Sequence, residues 1–184
     1  GNSSEPNGCP GFATGSIGNV VLNASFSIPV ADRLAGKVTN GTKLMFTTSI
    51  GGGLSYSSDS SLNGRITLTY PSGFFVTSPT PTAVISGAFS APSATPSWAG
   101  STGLVVSLTG GSIPASSAVT ISFSNLSLSS SAHAGSATGM SVRTIDGDGA
   151  DSNTPQGFAS GSIGDIVGDA SFSIPAADRL AGKT

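Results

Sequence analysis

Charge is what this sequence has least of. Only 9% of its 184 residues are Asp, Glu, Lys or Arg, where a soluble domain carries about 25%. Its seven Lys and Arg are scattered, which excludes a nucleic-acid surface built on phosphate contacts. There is one histidine, His133, with no carboxylate or cysteine near it in the chain, so the usual zinc sites are out of reach. No G-x-S-x-G elbow occurs, and no Gly-rich loop leads into a helix to cradle phosphate. The reading is of a chain that is not an enzyme. Cysteine is also single, at Cys9, so there is no internal disulfide framework; a lone Cys in an extracellular chain points to an intermolecular partner. No apolar run approaches the roughly 18 residues of a membrane span, and no stretch shows the apolar period of an amphipathic helix.

What is abundant is hydroxyl and glycine: Ser and Thr make up 53 residues and Gly 26. The other dominant feature is a duplication. Residues 11–38 read GFATGSIGNVVLNASFSIPVADRLAGKV and residues 157–184 read GFASGSIGDIVGDASFSIPAADRLAGKT, identical at 21 of 28 positions at an offset of 146. Self-similarity at a fixed period marks a tandem array, and one period of that size suits a single domain. The expected organisation is an inter-repeat linker at 1–10, a repeat at 11–146, a second linker at 147–156, and the start of the next repeat, or a donated strand segment, at 157–184. The chain opens at Gly1 without a signal-peptide pattern and stops inside the second copy, as expected of a slice of a longer protein.

Between the copies the periodicity is two. Phe26 and Ile28, Leu44 and Phe46, Ile66, Leu68 and Tyr70, Leu104, Val106 and Leu108, and Val119, Ile121 and Phe123 alternate with Ser, Thr or charged residues, the pattern of half-buried strands. Met140 to Ile145 reads as a last strand, with Val142 inward, and Phe74 to Thr77 as a short one. Ala31 to Lys37 fits one helical turn ending at Gly36. Thr77 to Trp98, rich in Pro, Ser and Thr, reads as a long loop around a short strand at Val84-Ile85. Seven or eight short strands without a helix imply an all-β, immunoglobulin-like β-sandwich; a parallel β-helix would need a period near 20 residues.

The runs ITLTYPSGF at 66–74, LVVSLTGGSIPASSAVTISFSNL at 104–126 and GSATGMSVRTID at 135–146 resemble the repeat module of large extracellular proteins of algae, protists and bacteria. The resemblance covers most of residues 40–146. It implies a surface or fibre-forming β-sandwich repeat, with no active site to carry over.

Candidate sites follow from composition. Asn-x-Ser/Thr acceptors for N-glycans stand at Asn2, Asn23, Asn40 and Asn125, of which Asn40, at a turn before a strand, is the best placed. Thr80, Thr82, Ser93 and Thr95 lie beside prolines, a composition suited to O-glycans. Asp146, Asp148 and Asp151 put three carboxylates in a Gly-rich turn that would offer oxygens to Ca²⁺, although Ala150 breaks the EF-type spacing. No other cofactor is implied. Asp32, Arg33 and Lys37 recur as Asp178, Arg179 and Lys183, a concentration of charge that suggests a repeat–repeat contact.

The functional expectation is a glycosylated structural subunit of an extracellular filament or cell-surface array, whose partners are copies of itself. A stalk or adhesin repeat with a carbohydrate-binding face is the alternative. Counting sharpens the first. Residues 39–146 should offer one place for a strand of the type Ser25-Phe26-Ser27-Ile28, yet Phe172 and Ile174 repeat that apolar face. Leaving them in water forfeits several kcal/mol of burial. One copy is therefore expected on its own body and the other on the next, a head-to-tail, open-ended arrangement.

Overall fold

The alternating apolar positions fold into two facing antiparallel sheets. The computed structural model describes residues 21–146 and 151–164, with 151–156 described by backbone alone. In chain order the strands are β1 (Leu22–Ser27), β2 (Val38–Thr47), β3 (Leu54–Ser55), β4 (Arg65–Thr69), β5 (Thr82–Gly87), β6 (Ser93–Trp98), β7 (Gly103–Gly110), β8 (Ser112–Ile113), β9 (Ala118–Ser127), β10 (Met140–Ile145) and β11 (Asp151–Phe158). One sheet runs β1-β2-β9-β5, the other β11-β10-β4-β7-β6, and β3 pairs with β8 in a small separate ribbon. The protein is an all-β sandwich.

Its core is the set of inward positions. Phe26, Leu44, Phe46, Ile66, Leu68, Leu104, Val106, Val119, Ile121, Phe123 and Val142 are all buried in one cluster, each contributing about 1.5–3 kcal/mol by leaving water. An aromatic group sits at one end of it: Tyr70 and Phe74 meet Phe75 edge-on with centroids 4.8 and 4.9 Å away, and Phe26 reaches the same ring at 5.9 Å. Trp98 lies edge-on to Tyr70 at 6.3 Å.

A break in the alternation of β9 has a local cause. Val119, Ile121 and Phe123 point inward, and then Leu126 does so three positions on. The extra residue is Asn125, a bulge with φ 60°, and β2 compensates at Gly41, φ 102°. Each bulge restores the side-chain phase that a slip of one residue would invert.

Two expectations are corrected. Thr77 to Trp98 is not a long loop: it supplies β5 and β6, the edge strands of the two sheets on one side of the sandwich. Their alternation is disguised because the inward set includes Ala83, Ala94 and Pro96, and Pro is admissible in a strand at an edge. The second concerns the described part of the expected linker at 147–156, since 147–150 lie outside the described residues. Its residues from Asp151 onward belong to β11, which pairs with β10 through Ile145↔Asp151 and Met140↔Phe158, so the chain leaves β10 by a hairpin. The expected strand at Phe74 to Thr77 is reduced to a single bridge, Phe75↔Leu128. The helical turn is a 3-10 turn at Val30–Asp32.

The ends of the sandwich are distinct. At one end Leu22, Thr47 and Ala118 lie side by side, capped by β3, β8 and the turns around them. Thr48 secures this cap: its buried hydroxyl donates to the Pro114 carbonyl (2.8 Å) and accepts from the Ser117 N–H (2.9 Å). The other end holds residues 28–37, the Pro71–Gly73 turn (Phe74 N–H to Pro71 O, 3.1 Å) and the 128–133 segment.

Candidate functional site

The duplicated segment meets itself. β1 and the turn after it come from the first copy; Phe158 and Ile163, both buried in the same core, come from the second. The expectation that Gly157 opens the next repeat is thereby revised for residues 157–164: they complete the body that the first copy begins. The described body thus draws on both copies, on residues 21–38 of the first and 157–164 of the second.

The seam between the halves is held by backbone and by Arg33. The Gly164 N–H donates to the Arg33 carbonyl (2.6 Å), and the Arg33 Nε–H donates to the Ile28 carbonyl (3.0 Å). The guanidinium lies over Gly161, where an added Cβ would stand 3.3 Å from Nη1. Gly161 and Gly164 have φ of 69° and 86°, a region that costs other residues about 1–2 kcal/mol. At Gly164 a Cβ would also stand 2.8 Å from that of Ala132. Both glycines recur in the first copy, as Gly15 and Gly18. On the far side, His133 and Ile163 exchange backbone hydrogen bonds of 2.8 and 2.9 Å, and the Ser160 N–H donates to the Ser136 carbonyl (3.0 Å) while its Oγ accepts from the Ser136 N–H (3.0 Å). The His133 ring packs near Phe74, centroids 6.0 Å apart, a packing role.

Of the recurring charges, Arg33 therefore touches the second copy within one body. Asp32 and Lys37 pair locally at 3.8 Å on the surface, a contact worth little in water. Phe172, Ile174, Asp178, Arg179 and Lys183 lie outside the described residues, as do Asn2, Cys9 and Asp148; the Asp151 side chain is likewise undescribed. Among the described residues no group of three or more His, Cys, Asp or Glu could hold a metal ion. No helix there is long and apolar enough to cross a membrane.

The structure brings two of the Asn acceptors together. Asn40 and Asn125 face each other at the paired bulges, and the Asn40 Oδ1 accepts from the Asn125 N–H (3.2 Å). That side-chain carbonyl replaces the ladder acceptor that the bulge removes, and it leaves the Asn40 Nδ2 for other use. Thr42, the third residue of that acceptor triplet, is buried, its hydroxyl 2.6 Å from that of Thr39. Asn23 is exposed with φ 53°. Thr80, Thr82, Ser93 and Thr95 are all exposed and gathered along the β5–β6 side. The sequence carried no sign that Asn40 supports a bulge; only the register shows it.

The fold and the seam define a class, an all-β sandwich whose core takes residues from both copies of a repeated segment. Comparison with family models, with curated proteins and with solved structures finds no match to this chain.

Proposed function

We propose that this chain is a structural subunit of an extracellular filament or cell-surface array, built head-to-tail from β-sandwich bodies and carrying N-linked sugar at Asn40. The observation that supports it most is the use of the duplicated segment. Residues of both copies enter one core: Phe26 and Ile28 come from the first, Phe158 and Ile163 from the second. Leu22 lies beside Thr47 at one end of the sandwich, and Gly164 lies beside Arg33 at the other. These points are separated by at least the length of β1, roughly 20 Å at about 3.3 Å per residue. Opposite ends generate an open line rather than a closed ring. Covalent continuation into further repeats and strand donation between chains both produce it.

The poverty of charge fits the same reading, because a surface short of charge needs sugar or neighbours to stay soluble. The carbohydrate-binding alternative gains little from the aromatic residues: Tyr70 is buried, Trp98 is half-buried against it, and of the Tyr and Trp side chains Tyr56 alone is exposed. Negative-stain microscopy and sedimentation of the natural material test the proposal. Filaments are expected; discrete monomers at high concentration would overturn it. Intact mass tests the sugar. Asn40→Asp keeps the acceptor for the Asn125 N–H but cannot be N-glycosylated, so its natural-host product should be lighter by one glycan with the fold unchanged.

A further inference from the structure

The sequence holds three Asn-Gly pairs, at 7–8, 40–41 and 63–64. The first lies outside the described residues. An asparagine followed by glycine is open to a reaction of its own, in which the glycine nitrogen attacks the side-chain amide carbon and expels ammonia. Glycine favours this because no side chain obstructs the approach and its backbone is the least restricted. Which pair reacts in a folded chain depends on what holds the two groups, and the fold treats the two described pairs in opposite ways.

Asn63 is only 8% exposed, and its Oδ1 accepts from the Ser57 N–H (2.9 Å). The attacking nitrogen beside it is engaged, since the Gly64 N–H donates to the Ser55 carbonyl (2.7 Å). A Cβ on Gly64 would stand 2.9 Å from that of Leu54 and 3.0 Å from the Ser55 nitrogen, so this stretch of backbone has little room to turn. Asn40 and Gly41 are both exposed. Gly41 is a bulge residue with φ 102°, and nothing lies within 4 Å of where its Cβ would be. The Asn40 Oδ1 accepts from the Asn125 N–H (3.2 Å). That donor draws electron density from Cγ and lies beside the oxygen on which negative charge would develop during attack. The bond that supports the bulge thus also activates its amide.

We propose that Asn40–Gly41 is a site of spontaneous modification, at which Asn40 turns over to aspartate and isoaspartate while Asn63 is spared. The Gly41 N–H gives its proton to solvent base and its nitrogen bonds to Asn40 Cγ. Nδ2 takes up a proton and departs as ammonia, leaving a five-membered imide. Water then reopens the ring. Cleavage of the bond to Cγ gives aspartate; cleavage of the bond to the original main-chain carbonyl carbon gives isoaspartate, with the main chain rerouted through Cβ. Either product adds one negative charge to a chain whose formal net charge is −2. Isoaspartate also lengthens β2 by one backbone atom at the bulge, where the phase of the strand is set. A glycan on Nδ2 would make the leaving group a bulky glycosylamine, so the reaction belongs to chains without sugar at Asn40. The inference goes beyond the filament reading and does not depend on it.

The test uses the full, unglycosylated chain, held in mildly alkaline buffer either folded or unfolded in guanidinium chloride. Cleavage after Lys and Arg places Asn40 in the peptide 38–43 and Asn63 in the peptide 44–65, so the mass and elution of each report conversion in one sample. In the folded chain Asn40 is expected to convert at least tenfold faster than Asn63, whose reaction must wait for local opening. In guanidinium chloride the two should convert at similar rates. Equal conversion in the folded chain, or an Asn40 amide that survives there while both sites convert in the unfolded chain, would overturn the inference. So would a tenfold difference that persists in guanidinium chloride, because the neighbouring sequence and not the fold would then set it.

Discussion

Single side chains in this protein often do two things at once. Phe123 is fully buried between the sheets, and Phe123→Ala should cost about 3–5 kcal/mol in chemical denaturation; a loss under about 1 kcal/mol would mean its face of β9 is wrong. Tyr70 is inward-facing too, and burial pushes its hydroxyl up to about 12. The folded state thus holds the neutral form after the unfolded chain, near pH 10, has begun to ionise. Its contribution is fully present below about pH 10 and is lost as pH rises to about 12. Melting temperatures of wild type and Tyr70→Phe should run parallel below pH 9.5 and converge or cross above it, the wild type falling more steeply.

Among the elements, the seam segment 157–164 depends most on backbone conformation. Gly164→Ala adds a Cβ at positive φ and against Ala132, and the strain falls on the hydrogen bonds that tie Ile163 to His133 and Gly164 to Arg33. The amides of His133 and Ile163 should exchange at least tenfold faster, equivalent to about 1.4 kcal/mol of local stability, while those of β9 change less. Unaltered exchange would show that the seam is not held as described. The elements also differ in how plainly the sequence displays them. β2, β4, β7, β9 and β10 are central strands whose alternation is unbroken or broken only by a bulge. β5, β6 and β11 are edges, laddered on one side, and their small or polar residues carry little pattern. β3 and β8, two residues each, are too short to show a period.

For the whole molecule, the claim that both copies serve one body is open to a direct check. Phe26 belongs to the first and Ile163 to the second, and both are buried in the same core. Phe26→Ala and Ile163→Ala should each lower one cooperative transition, by about 2–5 kcal/mol. Two transitions, with Ile163→Ala moving only one, would assign residues 157–164 to a separate unit. At the same scale, the proposed end-to-end assembly would give filaments whose axial repeat is no shorter than the ten-residue strands β2 and β9, about 33 Å. A shorter repeat in diffraction from aligned material would require the strands to lie across the axis.

By itself the sequence determined the sandwich and its core, because alternation along a strand is a local consequence of pleating: Leu44 with Phe46, and Ile66 with Leu68, declare their face without knowledge of any partner. It also determined that a segment is repeated. What it could not determine is that residues of both copies enter one core, because that depends on which edge lies next to which. Within the expected linker, residues 151–156 form a strand for this reason: a polar stretch becomes a strand when β10 offers it an unpaired edge, and nothing in Asp151–Phe158 announces the neighbour. The same holds for Arg33 over Gly161 and for Asn40 beneath the Asn125 bulge, contacts between residues far apart in the chain that only the register of the sheets brings together.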